Sequence, residues 1–260
     1  GNEKPVIISE EKKYIQDLEV WNKVFSNCFP LLNASDLLQC KKPMEQTTFV
    51  RLTSVELNAE DIRKALLNIP LAVLVLTANT ENPVSEWRNA FFILDKKKLN
   101  MPVILHRKFE TDLAEDLMIE ATQAFAALFL DGFGDGIWME DSGGIHIFTQ
   151  RQMAFGVLQA CRLRLTQTDY IACPSCGRTL FNIEERLAEI REKTKHLKHL
   201  KIAVMGCIVN GLGEMADADY GYVGSGKGKV NLYKGKTLMK KNIPSYICRI
   251  FVKTKKKERF

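Results

Sequence analysis

The sequence predicts an α/β protein, with repeated βα units followed by a second, smaller α/β domain. Three observations lead there. From about residue 47, short apolar runs alternate with amphipathic segments at a spacing of about 30 residues, the size of a βαβ unit. After Thr168 the texture changes, and a Cys-x-x-Cys pair and Gly-rich turns appear. Charge also divides unevenly. Residues 1–150 hold 15 Lys and Arg against 22 Asp and Glu, a net of −7, whereas residues 151–260 hold 22 against 9, a net of +13. The overall +6 therefore describes neither part. The boundary is placed near residue 165, giving domains 1–165 and 166–260.

Each element follows from local pattern. Strands are expected at Thr48 to Leu52, Leu71 to Leu76, Met101 to Leu105 and Ala127 to Leu130, as short apolar runs bounded by turn residues. Helices are expected at Asn58 to Asn68, Val84 to Lys98 and Thr111 to Phe125, with Asn58 and Thr111 placed as N-caps. This order argues for a parallel sheet covered by helices, either open or part of a barrel. Three or four such units are too few to close an eight-stranded barrel. The segment Asp131-Gly-Phe-Gly-Asp-Gly136 has no Lys and two acidic residues, so it reads as a turn after a strand rather than a phosphate loop. A helix is expected from Gln150 to about Leu165.

In the second part, Tyr170 to Ala172 leads into Cys173-Pro-Ser-Cys176. A helix is expected from Asn182 to His196, with Glu184, Glu185 and Glu189 early and Lys193 and Lys195 late, which suits the helix dipole. A buried-type strand, Ile202 to Met205, precedes a Gly-rich turn at 206–214. Short β-like runs follow at Asp219 to Val223 and Val230 to Tyr233, around the Gly-rich Gly224 to Gly228, and the tail finishes with Tyr246 to Val252 and a Lys-rich end.

Composition excludes several classes. At 46% hydrophobic and 26% charged, the chain is globular rather than disordered. It has no apolar run of the roughly 18 residues that a membrane span needs. Residues Gly1 to Glu11 are polar and lack a signal-type apolar segment. The basic part suggests an anionic partner, whether nucleic acid, a phosphorylated small molecule or an acidic protein.

The seven cysteines are Cys28, Cys40, Cys161, Cys173, Cys176, Cys207 and Cys248. Their odd number and uneven spacing disfavour a disulfide framework and favour metal or redox chemistry. Cys173 and Cys176 lie on one turn, and Cys207 follows a strand 31 residues later. Three readings stay open on spacing. One is structural zinc, completed by His196 or His199. Another is a thiol redox pair, which leaves Cys207 without a task. The third is an iron–sulfur cluster, for which three thiolates leave one iron without a ligand. A zinc or iron–sulfur nucleic-acid-binding module is the alternative from another class, with Tyr220, Tyr222 and Tyr233 among the basic residues.

Cys-Pro-Ser-Cys-Gly-Arg-Thr at 173–179, with Met205-Gly-Cys-Ile-Val-Asn-Gly-Leu-Gly-Glu214, closely resembles the 4-hydroxy-3-methylbut-2-enyl diphosphate synthases of the non-mevalonate isoprenoid pathway. The likeness continues through Met215 to Gly224, Asn231 to Lys236, Leu130 to Gly136 and Leu158 to Arg164, covering roughly residues 125–245. The resemblance implies a [4Fe–4S] cluster held by Cys173, Cys176, Cys207 and Glu214. Being an oxygen donor, Glu214 would hold iron less firmly and could give way to a substrate oxygen. This chain has Leu212 where the family usually has Pro, which restores a backbone N–H. Arg178 and Asn210 are candidate contacts to cluster or substrate, or else loop-stabilising residues. Cys161, Cys28, Cys40 and Cys248 are expected to be buried small hydrophobes.

The resemblance also implies the reaction. It is the two-electron ring opening and dehydroxylation of 2-C-methyl-D-erythritol 2,4-cyclodiphosphate to 4-hydroxy-3-methylbut-2-enyl diphosphate, fed by reduced ferredoxin or flavodoxin. Both carriers are acidic, so the basic domain suits docking, and neither nucleic acid nor membrane is expected as a partner. The implied location is bacterial cytoplasm or plastid stroma. The implied architecture for residues 1–165 is the later part of the barrel-like middle domain of the three-domain form. Residues 166–260 would be the cluster domain, similar to half of a nitrite/sulfite reductase. The N-terminal barrel of such enzymes is not found here, so this chain alone is expected to bind the cluster without turnover.

Overall fold

The structure is a computed structural model of the chain and describes residues 7–9, 28–40, 44, 46–173, 176–198 and 200–246. It divides into two compact units, Gly1–Leu163 and Arg164–Phe260. Both are α/β.

The first unit holds strands β1 (Ile7–Ser9), β2 (Cys28–Asn33), β3 (Thr48–Leu52), β4 (Ala72–Thr77), β5 (Val103–Phe109) and β6 (Gly136–Asp141). They form one sheet in sequential order, and every neighbouring pair is parallel. Right-handed crossovers that always step in one direction place their helices on one face, which is the winding of a barrel rather than of a doubly wound sheet. The helices are α1 (Ala34–Gln39), α2 (Ser54–Asn58), α3 (Glu60–Leu66), α4 (Pro83–Lys96), α5 (Ala114–Leu130) and α6 (Ile147–Ala160). Val50, Leu52, Leu74, Leu76 and Leu105 pack with Trp87, Phe125 and Leu128 of the helices in the main core.

Strand residues alternate between faces, so the intervening positions form a second, inner face. Leu31, Phe49 and Val75 are its buried apolar part. Toward the carboxyl ends of the strands it turns polar. His106 is fully buried, its Nδ1 lies 2.8 Å from Thr77 Oγ1, and its Nε2 lies 3.2 Å from Glu140 Oε1. Arg51 Nη2 reaches within 3.8 Å of the same oxygen, and Lys108 Nζ lies 3.5 Å from Glu140 Oε2. On a flat sheet β3 and β6 would stand about 14 Å apart, three spacings of roughly 4.8 Å. Arg51 and Glu140 therefore bridge the two intervening strands with their long side chains.

This cluster gives a pH dependence. Burial lowers the pKa of His106 from 6.5; Glu140 opposes the shift, while Arg51 and Lys108 add to it. A folded-state value below the unfolded one means that the neutral ring contributes stability above pH 6.5. That stability is lost as pH falls through the folded value. The three tryptophans, Trp21, Trp87 and Trp138, all precede residue 164 in the sequence. We predict that the urea midpoint read by tryptophan fluorescence falls from pH 7.5 to below 6, and that His106→Gln flattens the slope. An unchanged slope would contradict the assignment.

Two expectations need correction here. Ala127 to Leu130 is not a strand but the last turn of α5. Ala and Leu are strong helix formers, and burial of Leu117, Ala121, Ala124, Phe125, Leu128 and Phe129 continues one helical stripe through the run. The strand lies beyond it, as β6, and Asp131 to Gly136 connects helix to strand. Gly132 and Gly134 have φ of +84° and +88°, so this segment is a turn. The proposed caps also move. Thr53 caps α2 in a box with Glu56, α3 begins after Ala59, and α5 begins after Leu113.

The second unit holds β7 (Asp169–Ala172), α7 (Ile183–Thr194), β8 (Lys201–Met205), α8 (Ile208–Glu214), β9 (Tyr220–Gly226), β10 (Lys229–Lys234) and β11 (Thr237–Pro244). The sheet order is β11-β10-β9-β8-β7; β7, β8 and β9 run parallel, and β9, β10 and β11 form an antiparallel meander. Ile183 and Ile190 of α7 pack on Ile202, Val204 and Tyr222. Met215, just after α8, packs with Ala203, Met205 and Val223 on the opposite face. The Gly-rich turn expected at 206–214 is largely helix α8. Pro within this helix would remove an interior N–H, and Leu212 keeps it. The tail segment Tyr246 to Val252 lies outside the described residues after Tyr246 itself.

Candidate metal centre

Cys173 directly follows β7, and its N–H donates to Val204 O at 3.1 Å. The chain then loops out and returns, with Leu180 N donating to Gly206 O at 3.0 Å. Cys207 comes next after Gly206, at the end of the neighbouring parallel strand β8. It occupies the N-cap of α8 in extended conformation, with φ −149° and ψ 164°. The two strands therefore present Cys173 and Cys207 at one carboxyl edge of the sheet, and the returning loop brings Cys176 to the same edge.

The loop is fixed by a reciprocal turn. Thr179 N donates to Cys176 O at 2.9 Å, and Cys176 N donates to Thr179 Oγ1 at 3.0 Å. Cys176 is exposed, while Cys173 and Cys207 are half-buried. Backbone and side-chain N–H groups of Arg178, donating to Cys176 Sγ, hold that thiol below its ordinary pKa. Burial pushes the Cys161 thiol up, consistent with a packing role.

Glycine makes the edge narrow. A Cβ on Gly224 would fall 2.2 Å from Gly206 O, and one on Gly211 would lie 2.9 Å from Met205 Cβ. These close approaches let β9 and α8 press against the segment that carries Cys207. Glu214, exposed, is the last residue of α8. Seven residues of helical rise put it about 10 Å from Cys207 along the axis. Thus the structure gathers the three cysteines at one edge and sets Glu214 at the far end of α8. Among the described residues, no three His, Cys, Asp or Glu side chains already converge on a metal position. His196 is exposed beyond α7, and His199 lies outside the described residues.

The residue types nonetheless fit an iron–sulfur cluster. Three soft thiols share an edge, one of them with its thiolate favoured, and side chains there are pared back to glycine. Ligands of such centres deprotonate and converge as metal binds, so a dispersed set is compatible with loading.

Comparison with known proteins bears on the same segment. Residues 169–257 match the GcpE protein C-terminal domain. They belong to the GcpE C-terminal domain family. Over 244 residues, 94% of this chain and 39% of the relative, the sequence is 42% identical to a 4-hydroxy-3-methylbut-2-en-1-yl diphosphate synthase (flavodoxin) of Parabacteroides distasonis. It is 44% identical over 232 residues, 89% of this chain, to the protein of that name from Bacteroides fragilis, covering 37% of it. It is also 50% identical over 168 residues to the chloroplastic, ferredoxin-named synthase of Arabidopsis thaliana, covering 63% of this chain and 22% of the relative. The chain spans about two fifths of the length of the bacterial relatives it matches. No helix among the described residues is long and apolar enough to cross a membrane.

The GcpE domain thus begins at β7, four residues before Cys173, and contains every cysteine of the candidate centre. Sequence reasoning missed the close approach of Gly206 to Gly224. The signal was present as a glycine preceding Cys207, but only the sheet pairing shows what it faces.

Proposed function

We propose that this chain is the cluster-bearing portion of an iron–sulfur oxidoreductase of isoprenoid biosynthesis. The whole protein would open and dehydroxylate 2-C-methyl-D-erythritol 2,4-cyclodiphosphate to give 4-hydroxy-3-methylbut-2-enyl diphosphate. One observation supports the reading: the GcpE C-terminal domain match coincides with a sheet edge that carries Cys173 and Cys207 at the ends of adjacent parallel strands, with Cys176 on the loop between them. The relatives' names supply the reaction and the donor class, flavodoxin or ferredoxin. Their bacterial and chloroplastic sources suggest cytoplasm or plastid as the location.

In this proposal Cys173, Cys176 and Cys207 hold a [4Fe–4S] cluster as thiolates, and Glu214 supplies the fourth, oxygen donor. Bound there, the cluster would deliver single electrons and a Lewis-acidic iron. Arg178 favours the thiolate of Cys176 and adds positive charge beside the centre. Leu212 keeps α8 continuous up to Glu214, so the carboxylate must approach by movement of α8 or its ends. The lysines of the +13 segment 151–260 offer a docking face for an acidic electron carrier. The residues of the first unit form the later part of a barrel-like middle domain, and the second unit is related to half of a nitrite/sulfite reductase.

Anaerobic preparation with iron and sulfide analysis tests this. About four irons and four sulfides per chain, with a broad visible absorbance, are expected. Each of Cys173→Ser, Cys176→Ser and Cys207→Ser should reduce the iron to well below half. Glu214→Gln should retain iron while changing the spectrum of the reduced centre. One zinc per chain and no visible band would overturn the proposal.

A further inference from the structure

The inner face of the first unit carries a second cluster that the proposed reaction does not use. It lies on β3, β4, β5 and β6 toward their carboxyl ends, the side on which barrel-type sheets bind ligands. Deeper in, the same face is apolar, with Phe49, Val75 and Ile104 packed together. A wall needed only for packing would continue that way, because burying polar groups such as Thr77 and His106 is costly. Here it changes to Arg51, Thr77, His106, Lys108, Trp138 and Glu140. Three groups able to carry positive charge surround one carboxylate, within 3.2–3.8 Å.

His106 makes the arrangement specific. Its Nδ1 is engaged by Thr77 Oγ1 at 2.8 Å. With the hydroxyl donating to Nδ1, the proton of a neutral ring sits on Nε2. That nitrogen is buried and has no aligned hydrogen-bond partner among the described residues, although Glu140 stands 3.2 Å away. Arg51 is set over the Trp138 ring at 5.0 Å, and the His106 ring packs on the same indole at 5.3 Å. The two bases are thus held by a rigid aromatic surface. Glu140 is less constrained: its side chain is 36% exposed, against 1% for His106.

We infer that this end of the inner face is an oxyanion-binding site for a phosphate or phosphoryl group. Arg51, His106 and Lys108 are its donors, and Glu140 occupies the anion position until ligand displaces it. A phosphate dianion brings twice the charge of the carboxylate and more acceptor oxygens, so it meets the three donors better. Glu140 then turns outward to solvent. Thr77 and Trp138 are positioning residues, one fixing the tautomer of His106 and the other the plane of Arg51.

The test is a titration of the full chain with inorganic phosphate at constant ionic strength, followed by tryptophan fluorescence. Movement of Arg51 on the Trp138 ring provides the signal, and Trp138→Phe should abolish it. A Kd of roughly 1 mM is expected. Lys108→Ala, at an exposed position that tolerates change, should weaken binding roughly fivefold. Glu140→Gln, which removes the competing charge, should strengthen it roughly tenfold. Parallel titrations with glycerol phosphate distinguish a phosphorylated metabolite, which binds as tightly or better, from free phosphate, which alone binds. A flat wild-type curve, or Lys108→Ala and Glu140→Gln curves that match wild type, would reduce the cluster to an internal ion network and overturn the inference.

Discussion

Gly224→Ala is expected to destabilise the second unit by about 3 kcal/mol, the upper end of the cost of overpacking. The new methyl would lie 2.2 Å from Gly206 O, and 2.9 Å from the attached carbonyl carbon. The obstruction is backbone, so no rotamer change relieves it. Gly206 O also accepts the Leu180 N–H that closes the cysteine loop, so displacing it loosens Cys176 and Cys207 together. The variant should therefore lose iron binding as well as stability. Gly226→Ala is the matched control, since its Cβ meets nothing nearer than 4.0 Å and lies in the same strand. Hydrogen exchange of the amides of β8 and β9 would report the difference. Equal protection in the two variants would show that the close approach is not a constraint.

Much of the architecture was legible because buried strands and amphipathic helices leave different periods in sequence. Thr48 to Leu52 is a strand from end to end, and the helix expected from Val84 is α4, starting one residue earlier behind the Asn82 cap. The failure at Ala127 to Leu130 is physical. Four apolar residues fit a buried strand or a buried helix turn equally well, and only packing of the whole α5 stripe separates them. β6 was hidden for the converse reason. Its inner positions bear Trp138 and Glu140, and the pattern of a packed strand is broken where the wall becomes polar.

The cysteine centre was legible in ligand type and incompletely in geometry. Cys-x-x-Cys after one strand and a cysteine after the next predict a shared edge only if the strands are adjacent and parallel. The register Ala172 to Val204 supplies that condition. The position of Glu214 was not readable from spacing. A Gly-Leu-Gly segment can be loop or helix, and α8 carries it as helix. The inner-face cluster was invisible in sequence because Arg51, Thr77, His106 and Glu140 are far apart along the chain and meet only through the pairing of β3, β4, β5 and β6.

Trp87→Ala is the second change expected to have a large effect, costing the first unit about 3–5 kcal/mol. Trp87 is 1% exposed, stacks on Phe125 at 5.4 Å between ring centroids, and donates from Nε1 to Leu76 O at 2.8 Å. Truncation opens a ring-sized cavity between α4 and α5 and leaves the Leu76 carbonyl without that donor. Trp87→Phe separates the two contributions. It retains most of the ring volume and loses the donor, so it should cost about 1–2 kcal/mol. Urea unfolding of both variants can be followed by the remaining Trp21 and Trp138. If Trp87→Ala costs no more than Trp87→Phe, the ring is not filling the core. A local consequence follows from chain order: Leu76 precedes Thr77, whose hydroxyl meets His106. Releasing the Leu76 carbonyl should therefore relax the Thr77–His106 contact and weaken phosphate binding in Trp87→Phe, although Trp87 itself lies on the opposite face of the sheet.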